Sequence, residues 1–240
     1  MTPRTTAVLM ITAAVLVNVA FSGLATVFDY PDVLKHPAAE VLASFRASQA
    51  AVTGWFLALA LGAALLAPIA VGVGRLSASR AMRWAVPVGI AAAAVQVAGL
   101  LRWPLLVPGW AATAAGGDPA AAAAAREAFG TANRVLGTMI GETGGYVLTA
   151  AWTALVLGAL GTAFAGRWFV VLGATSAALV LVGVVSPLDL PVVDVANFVG
   201  YVLWSVWLVA FAVVLLRRAP RTSAPRPGER HPVHPRRSQP

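Results

Sequence analysis

Cysteine is absent from this chain of 240 residues, which removes disulfides, iron–sulfur ligation, thiolate zinc sites and thiol nucleophiles. Histidine is almost absent: of three, only His36 lies outside the C-terminal tail. A bis-histidine haem or a multi-histidine metal centre is therefore excluded from the apolar segments. No GxSxG, GxxxxGK[ST] or HExxH pattern occurs, so a serine hydrolase elbow, a phosphate cradle and a zincin site are missing as well. No cofactor and no metal are expected. Charge is scarce too, at 11% of residues against 59% hydrophobic, a balance outside the soluble globular range.

What the chain does have is six long apolar runs, at about 7–28, 51–74, 84–103, 138–165, 168–186 and 195–216. Each is close to the roughly 20 residues that a helix needs to cross a bilayer core. Lipid offers no partner for stray backbone polar groups, so uniformly apolar runs of this length select helices. The expected fold class is all-α: a polytopic bundle of six transmembrane helices over residues 1–218. An extra interfacial helix is expected in the second outer loop, and a disordered, basic, Pro/Arg-rich tail over 219–240.

The net charge of +8 would point to nucleic acid in a soluble protein. Here topology and anionic headgroups account for it, and no nucleic-acid partner is expected. With a cytoplasmic N-terminus, 12 of 17 basic residues fall on the cytoplasmic side and 8 of 9 acidic residues on the other. Both termini are thus expected in the cytoplasm of a bacterial plasma (inner) membrane. The first run is longer than a signal-peptide core and is read as a retained helix.

The outer connections carry structure. The first opens on Asp29-Tyr30-Pro31-Asp32, a turn signal, and continues as a short helix from Pro37 to Gln49. In the second, Pro104 disfavours helix at Trp103. A Gly116-Gly117-Asp118-Pro119 turn then leads to an alanine-rich helix from Ala120 to about Asn133. Trp55, Trp103 and Trp110 fall at outer borders and Trp84 and Trp168 at inner ones, where indoles prefer to sit. Trp152, Trp204 and Trp207 lie deeper and are read as packing residues.

Polar residues within the spans are the informative ones, because they are costly in hydrocarbon. Asn18, Ser22, Thr26 and Asp29 recur on one face of span one. Arg134, Thr138, Glu142, Tyr146, Thr149 and Thr153 do so along span four, and Asp194, Asn197, Tyr201 and Ser205 along span six. The three stripes are expected to converge on a polar cleft open to the outside. Counting residues from the inner borders brings Arg102 and Glu142 to one depth, as an ion pair, and Asn18 and Gln96 to the midplane, as a hydrogen-bonded pair. Arg134, two turns from Glu142, is not expected to touch it. Gly137, Gly141 and Gly145 form overlapping GxxxG spacings whose expected role is close helix packing. Asp29, Asp32, His36 and Glu40 carry the donor types of a divalent-cation site, but loop acids are as a rule simply solvated, and that is the favoured reading of the cluster.

Candidate ligand-binding residues are Asn18, Asp29, Arg102, Arg134, Glu142, Tyr146, Asn197 and Tyr201. The leading reading is a binding protein for a small molecule, a lipid or a partner, surrounded by membrane lipids and able to form a homo-oligomer or to join a membrane partner. The alternative is a membrane enzyme of the cyclase or isomerase type. There Glu142, with Asp29 or Asp194, exchanges protons with an isoprenoid-like substrate and Arg102 orients an anion.

The order of spans, the long second outer loop, the segment Gly141-Glu142-Thr143-Gly144-Gly145-Tyr146, the Arg167-Trp168 entry to span five followed by Gly173, and the Trp204 to Trp207 region carry a resemblance. Over roughly residues 7 to 217 the chain resembles the bacterial integral membrane proteins grouped as domain of unknown function 4386 (DUF4386-like). In that group span six often begins with a glutamate, where this chain has Asp194 and Asn197. The resemblance implies a six-helix fold in a bacterial inner membrane and no established activity.

Overall fold

In the computed structural model, residues 1–188 and 190–218 are described, and among them no strand occurs. The tail expected to be disordered lies outside the described residues. Six helical stretches are long and apolar enough to cross a membrane: Pro3–Phe28, Gln49–Leu76, Arg80–Ala114, Pro119–Ala165, Arg167–Leu188 and Pro191–Arg218.

Local chemistry sets the element ends. Helix α1 (Pro3–Phe28) starts with Pro3 in its first turn and with the Thr2 side chain accepting from the Thr5 N–H. It stops where Asp29 turns left-handed at φ 53°. A 3₁₀ turn (Asp32–Lys35) and α2 (Ala38–Ala47) form the first loop. The second span is α3 (Gln49–Ala64) followed by α4 (Leu66–Val73). Ser79 caps α5 (Arg80–Leu105). Two short helices follow, α6 (Val107–Ala114) and α7 (Pro119–Ala132), the latter capped by Asp118. A π-helix (Asn133–Gly144) joins α7 to α8 (Gly145–Ala165) without a break. Then come α9 (Arg167–Val182) and α10 (Pro191–Arg218).

The spans form a ring in which each packs on the next and α10 closes on α1. Met1 meets Arg75, and Arg218 meets the Phe164 carbonyl, so the first and last residues described sit at one end, the terminal end. That half is filled by an apolar core including Met10, Ile69, Trp152, Phe169, Trp207 and Phe211. Glycines seat the indoles: a Cβ at Gly89 or Gly173 would fall 2.7 Å from Trp152 or Trp207. Trp204, half-buried, donates to Thr153, and Trp207 donates to the Phe169 carbonyl. All three deep tryptophans are packing residues.

At the opposite, loop end, a second cluster surrounds Trp103, which stacks on Phe56 at 4.7 Å and meets Phe28 and Phe129 edge-on. Each such pair contributes about 0.5–1.5 kcal/mol beyond area burial. The cluster therefore clamps α2 and α7 to the spans. Two expectations change here. Trp103, at the depth expected of it, is fully buried against the first loop and α7 instead of turned to the headgroups, and α5 runs through Pro104 to Leu105, because the packing of Trp103 outweighs the backbone preference of the residue before a proline. The second loop carries two helices where one was expected, since Val107-Pro108 starts α6.

Candidate functional site

Between α5, the π-helix, α8 and α10, in the loop half of the bundle, the polar residues of the spans gather around Glu142. Its elements are positioned by glycine. A Cβ at Gly99 would lie 2.7 Å from the Gly141 Cα, so the α5 and π-helix backbones touch there. A Cβ on Gly137 would meet the Arg102 guanidinium at 2.8 Å, and one on Gly145 would meet Gln96 Cγ at 2.9 Å. The Gly137, Gly141 and Gly145 row thus receives Arg102, Gly99 and Gln96, which is the packing role expected of it.

Arg102 is only 4% exposed. Its Nη1 donates to the Gly99 carbonyl at 2.6 Å and its Nη2 to Asn133 Oδ1 at 2.9 Å, while Nε has no hydrogen-bond partner among the described residues. The guanidinium also lies 5.3 Å from the Trp103 ring. These partners draw it onto Gly137, and no ion pair with Glu142 forms at contact distance among the described residues. The two charges still act on one another at longer range, together with Asp194.

All three tyrosines of the chain lie within electrostatic range of this carboxyl. Glu142 acts electrostatically on Tyr30, Tyr146 and Tyr201, and the Tyr146 and Tyr201 rings are 5.9 Å apart. Tyr30, at the start of the first loop, is pushed up to about 12 by burial and then by the Glu142 charge, with Arg102 opposing. Tyr201 faces Thr149, which also accepts from Gln96 at 3.3 Å. Above the cluster Lys35 bridges Asp32 at 2.7 Å and Asp194 at 3.6 Å. The Asp32 carboxylate raises the Lys35 pKa from its ordinary value.

The remaining expected residues go elsewhere. Asn18 is exposed and donates to the Ala14 carbonyl and to Ser205 Oγ at 2.9 Å, so its partner is span six and not Gln96. Ser22 and Thr26 are exposed and return their hydroxyl protons to carbonyls of their own helix. Asp29 is exposed at the end of α1. Arg134 is exposed as well, because the π-helix breaks the four-residue periodicity that would align it with Glu142. Asn197 is buried and turned toward span five, donating to the Val180 carbonyl at 2.8 Å over Gly183.

The convergence therefore joins spans three, four and six with the first loop, and span one contributes only the neighbouring Asn18–Ser205 pair. Tyr30 and Asn133 were missed. One was read as part of a turn and the other as a helix end. The rarity of tyrosine, with two of three already on the stripes, was the one available signal. Among the described residues no group of three His, Asp or Glu gathers as a metal site; His36 pairs with Glu40.

A carboxyl, an arginine and three phenols, with Asn133, Gln96 and Thr149 beside them, gather one anionic, one cationic and several hydrogen-bonding groups in the loop half of the bundle. A family model described as "Domain of unknown function (DUF4386)" matches residues 5–212. No curated protein and no solved structure matches the chain.

Proposed function

The chain belongs to the DUF4386 family, whose description carries no activity, and from that premise we propose a membrane protein that binds a small molecule, lipid or partner group at the Glu142 cluster. One observation carries the reading: an ionisable carboxyl within a span is set among Arg102, Asp194 and all three tyrosines. Intramembrane ionisable groups are rare and as a rule functional. The π-helix that bears Glu142 adds weight, since π turns recur at functional sites.

The ligand presents a polar head to Glu142 and Arg102 and enters from the loop end, beside Lys35 and Asp194. The arginine asymmetry supports placing that end outside a bacterial inner membrane, with both termini in the cytoplasm. The test is native mass spectrometry of the full chain extracted in mild detergent. A noncovalent adduct is expected on the wild type and absent from Glu142→Gln, with unchanged thermal stability. Identical adduct spectra for the two would overturn the reading.

Proton transfer from Glu142 to a lipophilic substrate is the second reading, favoured by the phenols that surround the carboxyl. It requires turnover that vanishes in Glu142→Gln and persists in Asn18→Ala.

A further inference from the structure

A cavity of about 410 Å³ lies between α2, α6 and α7 at the loop end, away from the Glu142 cluster. Its floor and walls are alanine and leucine, among them Ala43, Ala47, Ala111 and Ala115. Two cations from different helices border it: Arg46 on α2 and Arg126 on α7. No carboxylate lines it, and neither guanidinium has a hydrogen bond or ion pair among the described residues. Neither arginine is used by the cluster described above.

The position of the cavity relative to the bilayer follows from α5. Trp84 near its start is 58% exposed, as an indole at a membrane border is. About 20 helical residues further on, the hydrocarbon ends. That point falls at Leu105 and Leu106, which are 69% and 38% exposed. Ala111, Ala114 and Ala115 follow in the next helical turns, so the cavity opens at the level of lipid headgroups. A soluble anion would gain nothing from alanine walls, whereas a lipid has an apolar part for them and a phosphate for the two guanidinium forks.

We infer that this cavity is a binding site for one anionic phospholipid of the surrounding leaflet, its phosphate held between Arg46 and Arg126 and its glycerol and upper acyl carbons on the alanine floor. The site is distinct from the Glu142 cluster and stands whether or not that cluster binds a ligand. An anionic headgroup keeps the net negative charge that the ammonium of a zwitterionic lipid cancels, so two arginines near the surface supply a preference of roughly 25-fold for the anionic lipid.

The test uses the full chain in nanodiscs, with phosphatidylglycerol titrated into phosphatidylcholine and bound lipid counted by native mass spectrometry. The wild type is expected to retain one phosphatidylglycerol with that preference. The double variant R46Q/R126Q, altered only at exposed side chains, is expected to lose it, as is Ala43→Leu, which puts three more carbons where the glycerol and upper acyl chain would lie and keeps both charges. An undiminished preference in R46Q/R126Q would overturn the site. So would displacement of the lipid by millimolar inorganic phosphate, since the occupant would then be a soluble anion.

Discussion

Replacing Gly99 by alanine tests the close approach on which the cluster is built. In a helix interior this change gains about 0.5–1 kcal/mol by itself, because alanine is the better helix former. At Gly99, however, the new methyl would lie 2.7 Å from the Gly141 Cα and 2.8 Å from the Leu136 carbonyl oxygen. Both are backbone atoms, so no rotamer change relieves the contact and α5 must part from the π-helix. Overpacking of this kind costs about 1–3 kcal/mol, which outweighs the propensity gain. The net loss is about 0.5–2 kcal/mol. At roughly 2–4 °C per kcal/mol for a chain of this size, thermal unfolding of the purified protein in detergent should fall by about 1–8 °C. Gly54→Ala and Gly158→Ala are the matched controls, since both sites are exposed, helical and free of any neighbour within 4 Å. They should hold or raise the midpoint. A Gly99→Ala protein as stable as these controls would refute the contact.

Tyr30 titrates outside the spans, and its sign can be worked through. Its folded pKa of about 12 exceeds the ordinary 10, so between these values the unfolded chain sheds a proton that the folded chain keeps. The contribution of Tyr30 to stability is complete below pH 10 and falls by about 3 kcal/mol as pH rises through 12, and Tyr30→Phe should remove that part of the slope in chemical denaturation. Asn197→Ala removes a buried amide bonded to the Val180 carbonyl and should cost about 1–3 kcal/mol. Asn18→Ala acts at an exposed pair and should cost less, with a coupling to Ser205 of about 0.6 kcal/mol in a double-mutant cycle; equal losses at Asn18 and Asn197 would contradict the placement of these side chains.

The six spans were legible because membrane crossing imposes length and uniform apolarity, and both are visible residue by residue. The start of α7 was legible from the Asp118-Pro119 turn, whereas the Ser79 cap, which starts α5 four residues before the expected border at Trp84, was not read. The cluster was legible only in part. Glu142, Tyr146 and Tyr201 stood out as polar groups in apolar runs, and the glycine row announced a close contact. Their partners did not, because counting at α-helical pitch assumes an α-helix. From Asn133 to Gly144 the backbone is π-helical, which turns Arg134 outward. Arg102 is held by a carbonyl and by Asn133, groups that carry no pattern in a sequence. Tyr30 reaches the cluster only through the tertiary fold of the first loop. The Asn18–Gln96 pair failed for a related reason: equal depth says nothing about which helices are neighbours.

The π-helix has one more consequence. Bonds that reach five residues back instead of four hold one surplus residue in each turn, as a single-codon insertion into an ordinary helix would leave it. Elsewhere in a span, losing a residue rotates everything beyond it against the neighbouring helices. Between Asn133 and Gly144 a loss lets one turn relax to the tighter form while both flanks keep their facing. This stretch is thus where related chains can differ in length without disturbing how α7 and α8 seat, and where such a change would act first on the surroundings of Glu142.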